Sequence, residues 1–296
     1  MRMIVAGIAA LLTASSPTVA AKLPSGGLQP CGSAVAGRYL YVDDYGSGRL
    51  ARIDPATNKV VKSIAVGGGP CGVVSGAGAL WVENFFQGTI ARVDPARMKV
   101  TRQIKVGHRP WDVAFGFGSA WSSNYADGTV SRIDAKTLKV VKTIVTRGNP
   151  TCIRAGTDAI WVASQNTDDV YRIDPATNAV TPVRVGHGSE LCLDVHDDGV
   201  WVSDDVAGTV TRIDPHTYAV VATTKACSGP SDGARGPDGL EWIPCNGDGT
   251  IVRIDPATNA VVDTLPAVTK PFVVRSAFGA MWAGDFGGAT LWRYAP

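Results

Sequence analysis

The chain reads as all-β: a seven-bladed β-propeller of four-stranded antiparallel blades, its ring closed by the mature N-terminal strand. Arg-Ile-Asp-Pro returns at Arg52-Ile53-Asp54-Pro55, Arg172-Ile173-Asp174-Pro175, Arg212-Ile213-Asp214-Pro215 and Arg253-Ile254-Asp255-Pro256. Variants stand at Arg92-Val93-Asp94-Pro95, Arg132-Ile133-Asp134-Ala135 and Arg293-Tyr294-Ala295-Pro296, so the arginines fall 40 residues apart with one interval of 41. A fixed period of this size marks units that bury their apolar faces only by stacking on neighbours. An aromatic keeps the same step at Tyr41, Trp81, Trp121, Trp161, Trp201, Trp242 and Trp282. These positions count seven blades, and no segment carries a helical period.

The first 20 residues stand apart. Met1-Arg2-Met3 gives a basic start, residues 4–12 are apolar, Ser15-Ser16-Pro17 breaks the run, and Thr18-Val19-Ala20 offers small residues for a cut. This is the layout of a secretory signal peptide, with the mature chain starting near Ala21 in the periplasm or outside the cell. Nine apolar residues are too few to cross a bilayer, so no stable membrane span is expected. Residues 21–296 then form a single propeller domain. Residues 21–27, ahead of Pro30-Cys31, match residues 62–68 ahead of Pro70-Cys71. The last blade lacks a fourth strand after Tyr294, and residues 21–27 supply it, leaving no free edge. Pro24 is tolerable there because an outer strand has one unpaired side.

Within one repeat, residues 72–75, 79–83, 89–93 and 100–106 are short β-prone segments. Gly76-Ala77-Gly78 turns the first into the second, and Gln87-Gly88 the second into the third, where glycine accepts positive φ. Asp94-Pro95-Ala96 makes the last turn: proline presets φ, and the aspartate accepts a following backbone N–H. The tryptophans are expected to pack between blades. The arginines are expected to lay their stems on apolar surface and hydrogen-bond locally.

Only 18% of the 296 residues are charged, and the net charge is +2, which argues against nucleic acid as a partner. Six cysteines are an even number, and export permits disulfides. Cys31 and Cys71 share one slot of neighbouring repeats, and Cys152 and Cys192 share another. Cys227 lies in the connection into the sixth repeat and Cys245 inside it. The expected bridges are Cys31–Cys71, Cys152–Cys192 and Cys227–Cys245. No Cys-x-x-Cys pair supports metal ligation instead.

The phrases Gly69-Pro70-Cys71-Gly72-Val73, Leu80-Trp81-Val82, Gly88-Thr89-Ile90 and Arg92-Val93-Asp94-Pro95 resemble bacterial YVTN-type propeller repeats. They also resemble the streptogramin (virginiamycin B) lyase superfamily. The likeness covers essentially the whole mature chain. It implies the propeller fold and, for the lyases, a magnesium-dependent elimination that opens a cyclic depsipeptide. That family's working histidine follows the Gly-Pro, and its glutamates follow the second-strand tryptophan. Here the post-proline residues are Cys31, Cys71, Trp111, Thr151 and Phe272, with Leu191 and Ser231 in irregular repeats. Three positions past the aromatic stand Asp44, Asn84, Asn124, Ser164, Asp204, Cys245 and Asp285, and Glu83 is one position early. The catalytic set does not carry over.

A binding site is expected where the blade connections and the loops between second and third strands gather around the channel, because loops on a rigid scaffold vary freely. That face carries Asp44, Tyr45, Glu83, Phe85, Trp111, Tyr125, Asp204, Asp285 and Phe286, with Asp43, Phe86, Gln165, Asp205 and Asn246 beside them. Carboxylates among flat rings suit a hydroxylated or cyclic ligand; Asp44, Asp204 and Asp285 are also candidate oxygen ligands for Mg²⁺ or Ca²⁺. Arg154, Asp194 and Arg275 take equivalent first-strand positions where Ala34, Val74 and Ala114 stand in other blades. They read either as an anion-binding channel lining or as an inter-blade pair of Arg154 with Asp194. Among four histidines, His108 and His187 are the acid–base candidates by location. The expected function is an exported, monomeric, non-catalytic propeller that binds a small molecule, glycan or protein at its loop-rich face. The alternative is a metal-dependent lyase or hydrolase with a rearranged site.

Overall fold

The computed structural model describes residues 16–186 and 188–295. Twenty-eight strands, β1 to β28 in chain order, form seven antiparallel sheets of four, and no helix occurs among the described residues. The second blade shows why. Its strands are β6 (Val73–Gly76), β7 (Ala79–Asn84), β8 (Thr89–Asp94) and β9 (Lys99–Lys105), within about a residue of the segments read from β-propensity. Gly88 has φ 65°, and a Cβ there would sit 2.9 Å from the Gly107 carbonyl, so this turn requires glycine. In the Asp-Pro turns, Asp54, Asp174, Asp214 and Asp255 accept the N–H two residues on at 2.7–2.9 Å.

The ring closes as the sequence implies. β1 (Thr18–Pro24) pairs antiparallel with β28 (Thr290–Ala295), Leu23 opposite Leu291. Pairing begins at Thr18, ahead of the expected mature start near Ala21, with a register shift between Val19 and Ala21. Residues 1–15, the body of the expected signal segment, lie outside the described residues.

The slot aromatics are the inter-blade core. Tyr41 and the six slot tryptophans are each 0–2% exposed. Each packs on the following blade: Trp81 on Val113 and Ile133, Trp161 on Leu193 and Ile213, and Trp282 on Leu40 and Ile53, which brings the seventh blade onto the first. Some of the arginines reach further than local bonding. Arg132 Nη1 donates to the Pro175 carbonyl at 2.7 Å, Arg212 Nη1 to Pro256 at 2.6 Å, and Arg293 Nη1 to Pro55 at 3.1 Å. Their guanidinium groups lie over Trp121, Trp201 and Trp282, 4.6–5.4 Å from the ring centroids. At these positions the phrase is a blade-to-blade latch, the arginine bonding the Asp-Pro turn of the next blade, whereas Arg92 bonds Thr101, Arg172 bonds Asp158 and Arg253 bonds Asp238 and Asp263.

All three expected disulfides are present. Cys31–Cys71 and Cys152–Cys192 each join neighbouring blades, and Cys227–Cys245 ties the connection to its own blade.

Candidate functional site

At the loop-rich face, two positions of each repeat aim at the channel mouth. The first lies at the end of the second strand: Tyr45, Phe85, Tyr125, Asp205, Asn246 and Phe286 just after it, and Gln165 as its last residue. The turn fixes its direction, because its backbone N–H bonds the preceding blade connection: Tyr45 to the Gln29 carbonyl at 2.9 Å, Tyr125 to Arg109 at 3.0 Å, Phe286 to Lys270 at 3.0 Å. The second is the slot after the connection's proline, which holds Trp111 and Phe272, with Leu191 in the same slot behind Glu190. The two sets make an aromatic arc over blades seven, one, two and three. Ring centroids run from Phe272 to Phe286 at 5.3 Å, on to Tyr45 at 5.6 Å, to Phe85 at 6.4 Å, to Trp111 at 6.1 Å and to Tyr125 at 5.2 Å. The Tyr125 hydroxyl then donates to Gln165 Oε1 at 3.3 Å, where the polar half begins.

The arc borders a cup of about 280 Å³, lined by Tyr45, Phe85, Trp111, Phe272 and Phe286 with Glu83, Gln165, Leu191 and Asp205. Cys71 lines it too, and Leu191 with the Cys152–Cys192 bridge forms an apolar base against which Trp111 and Phe272 pack. Glu83 is fully buried in the wall. Its Oε1 accepts the Cys71 N–H while Oε2 has no partner, and burial pushes the carboxyl well above its ordinary range.

The other expected ligands sit elsewhere. Asp44 is bound within its own turn, accepting the Gln29 N–H at 2.7 Å and the Ser47 N–H at 2.8 Å. Asp204 takes the Val206 and Ala207 N–H groups at 2.9 and 2.6 Å, and Asp285 those of Lys270 and Gly287, both at 3.1 Å. These carboxylates are turn formers on separate blades. Among the described residues no cluster of ligand atoms includes them, so the donor set does not fit a shared Mg²⁺ or Ca²⁺. His108 is 83% exposed, with Nδ1 2.8 Å from Asp127 Oδ1, and is not among the residues lining the cup. His187 lies outside the described residues.

Arg154 and Arg275 belong to a second space, a funnel of about 320 Å³ at the opposite end of the inner strands. The expected Arg154–Asp194 pair does not form. Arg154 bonds Asp112 through Nη1, and its Nη2 lies 2.6 and 2.7 Å from the two oxygens of Asp232. Arg275 Nη2 bonds the same Asp232 at 2.5 Å. The reason is local: the inner strand of blade six is only Ala234–Arg235, so the preceding loop carries Asp232 inward to the channel. Burial lowers the Arg154 pKa, but Asp232 and Asp112 outweigh it and hold the guanidinium above its ordinary value. The two arginines are thus neutralised across the channel, which removes the case for an anion-binding lining. Asp112 and Asp232 were not singled out. The signal was a carboxylate two residues past the proline, where Gly32 and Gly72 stand in other blades.

Asp194 instead meets His196 Nε2 at 2.8 Å and the Arg235 N–H at 3.0 Å, with Glu241 Oε1 3.4 Å from the same imidazole nitrogen. This triad resembles a metal set, but Arg235 Nε bonds Glu241 and its Nη2 reaches Asp198 at 3.1 Å, so a guanidinium already holds the cationic place. Burial, with Asp194 nearby, pushes Glu241 up to about 7. His196, which burial alone would lower, is raised by its bond to Asp194. Both folded values lie above the unfolded ones, so the stability they supply is complete below about pH 4.5 for Glu241 and pH 6.5 for His196. It is lost as pH rises through the folded values. Stability is expected to fall by about 3 kcal/mol between pH 4.5 and 8 as the Asp194–His196–Glu241 cluster loses its protons. Urea denaturation at pH 5 and pH 8 measures this, and Glu241→Gln should flatten the difference; an equal slope in that variant would remove Glu241 as the cause.

No protein-family model matches the chain, and no curated protein does. Solved structures do. Virginiamycin B lyase from Staphylococcus aureus, as a catalytically inactive histidine-to-alanine variant with quinupristin, superposes at TM-score 0.81 with 14% identity, covering 93% of this chain and 98% of that one. Kuenenia stuttgartiensis hydrazine synthase gives 0.80 with 16% identity over 92% and 96% of the two chains. A streptogramin B lyase structure gives 0.76 with 14% identity over 92% and 93%. At identities this low the likeness is one of fold, and it places the chain among seven-bladed β-propellers with the architecture of these lyases.

Proposed function

We propose that this chain is an exported, non-catalytic propeller that holds a small molecule in the aromatic cup at its loop-rich face. The observation that carries the reading is the arc of rings over four neighbouring blades, closing on a cavity of about 280 Å³. A concave, mostly apolar space with a few polar groups is the usual form of a ligand site. Its volume suits a small ring or branched group better than a glycan chain or a protein surface. The three disulfides support export, since such bridges persist in oxidising compartments. A metal-dependent lyase or hydrolase at this face would need Asp44, Asp204 and Asp285 to leave the turns they form, and no arrangement of residues favours that reading.

A thermal-shift screen of small ring-bearing molecules tests the proposal. Ligands should raise the melting temperature of the full chain, and Trp111→Ala with Phe286→Ala should weaken them at least about tenfold, as expected for losing two aromatic walls. Ligands that bind the double variant unchanged would place the site elsewhere.

A further inference from the structure

We propose that the cup selects a small organic cation, a quaternary or tertiary ammonium, over a neutral molecule of the same shape. This rests on the cup being the ligand site and adds the charge of what it takes. The faces of aromatic rings carry negative potential, and a cation within about 6 Å of a ring centroid is attracted by it. Five rings wall this cavity, contributed by Tyr45, Phe85, Trp111, Phe272 and Phe286. The ionisable groups among the lining are Glu83 and Asp205 with the Tyr45 phenol, and no lysine, arginine or histidine is there. The ring faces are therefore negative, and Asp205 adds a carboxylate at the rim.

Glu83 makes the argument more than one of composition. It is fully buried, one carboxyl oxygen is held by the Cys71 N–H, and the other has no hydrogen-bond partner. An unpaired buried oxygen is costly. Burial first, and then Asp43 and Asp112, raise its pKa against the pull of the Cys71 N–H, so the neutral acid is favoured. A cation in the cup would favour the ionised carboxylate and be held by it in turn. Asp205 stands on the far side, half-exposed, its Oδ1 accepting from the Ser189 hydroxyl at 2.7 Å, and gives a second carboxylate at the polar half. The Arg109 guanidinium lies 5.7 Å from the Phe85 centroid and is not among the residues lining the cup.

Titration calorimetry of the full chain with choline and with its neutral isostere 3,3-dimethylbutan-1-ol tests this. Choline is expected to bind at least about tenfold tighter. Glu83→Gln, which keeps an acceptor for the Cys71 N–H, should cut that ratio to within a few-fold. Equal or tighter binding of the alcohol to the wild-type chain overturns the cation inference and leaves the cup as a neutral apolar site. Binding of neither probe also overturns it; if the thermal-shift screen then yields no ligand sensitive to Trp111, the cup reading falls with it. The isostere comparison needs no variant, so poor folding of Glu83→Gln cannot rescue the inference.

Discussion

Asp232→Asn is expected to cost about 3–5 kcal/mol of folding stability, far beyond an ordinary surface change. Asp232 is 4% exposed and takes Arg154 on both oxygens and Arg275 on one. Removing its charge strands two guanidinium groups in the channel, with Asp112 left as the sole carboxylate bonded to Arg154. Neither arginine can shed its proton to escape, so the loss is that of an uncompensated buried charge. Because the three residues come from blades four, six and seven, the loss should appear as lower cooperativity as well as a lower denaturation midpoint. Chemical denaturation with two probes measures both. A cost below about 1 kcal/mol would mean that water entering the funnel, which Arg154 and Arg275 line, already solvates them, and that the network is not a structural clasp.

The ease of reading this fold and the difficulty of reading its site have one physical origin. Position within the repeat determines direction. The aromatic at Trp81 and its equivalents always points into the next blade, so it counts blades. A cysteine shared by neighbouring repeats always faces its counterpart, so Cys31–Cys71 and Cys152–Cys192 follow from register. By the same rule Tyr45, Phe85, Trp111 and Phe286 were placed at the cup. Departures from register are harder. Asp44, Asp204 and Asp285 occupy the slot one residue before the cup, where a side chain turns back to bond its own loop. Blade six is irregular between Cys227 and Glu241, and no spacing there says that Asp232 enters the channel. The division of Arg154 and Arg275 from the aromatic site is also invisible in sequence: two residues along an inner strand separate the cup base at Cys152 from the funnel at Arg154. His196 showed only as a histidine after a strand, because its partners Asp194 and Glu241 belong to different repeats.

The largest effect is expected from opening both inter-blade bridges. Each closes a loop of 40 residues, and loop-closure entropy assigns about 4 kcal/mol to a bridge of that span, so Cys31→Ser/Cys71→Ser with Cys152→Ser/Cys192→Ser should lose about 8 kcal/mol. The two pairs lie between different blades, so their losses should add. Stability is only half of the expectation. Cys71 lines the cup, and the Cys152–Cys192 bridge is part of the base under Trp111 and Phe272, so the quadruple variant should bind cup ligands weakly even where it is still folded. Opening Cys227–Cys245, which spans 18 residues inside blade six and does not line the cup, should lower stability by about 3 kcal/mol and leave binding intact. Denaturation midpoints and ligand titrations on the three proteins separate these effects. Intact binding in the folded quadruple variant would show that the rings hold their places without the bridges. Weakened binding there, with normal binding in the third variant, would tie the site itself to an oxidising compartment. That link between cysteine chemistry and ligand capture is independent of the N-terminal segment, and it gives the export reading a test in the folded domain.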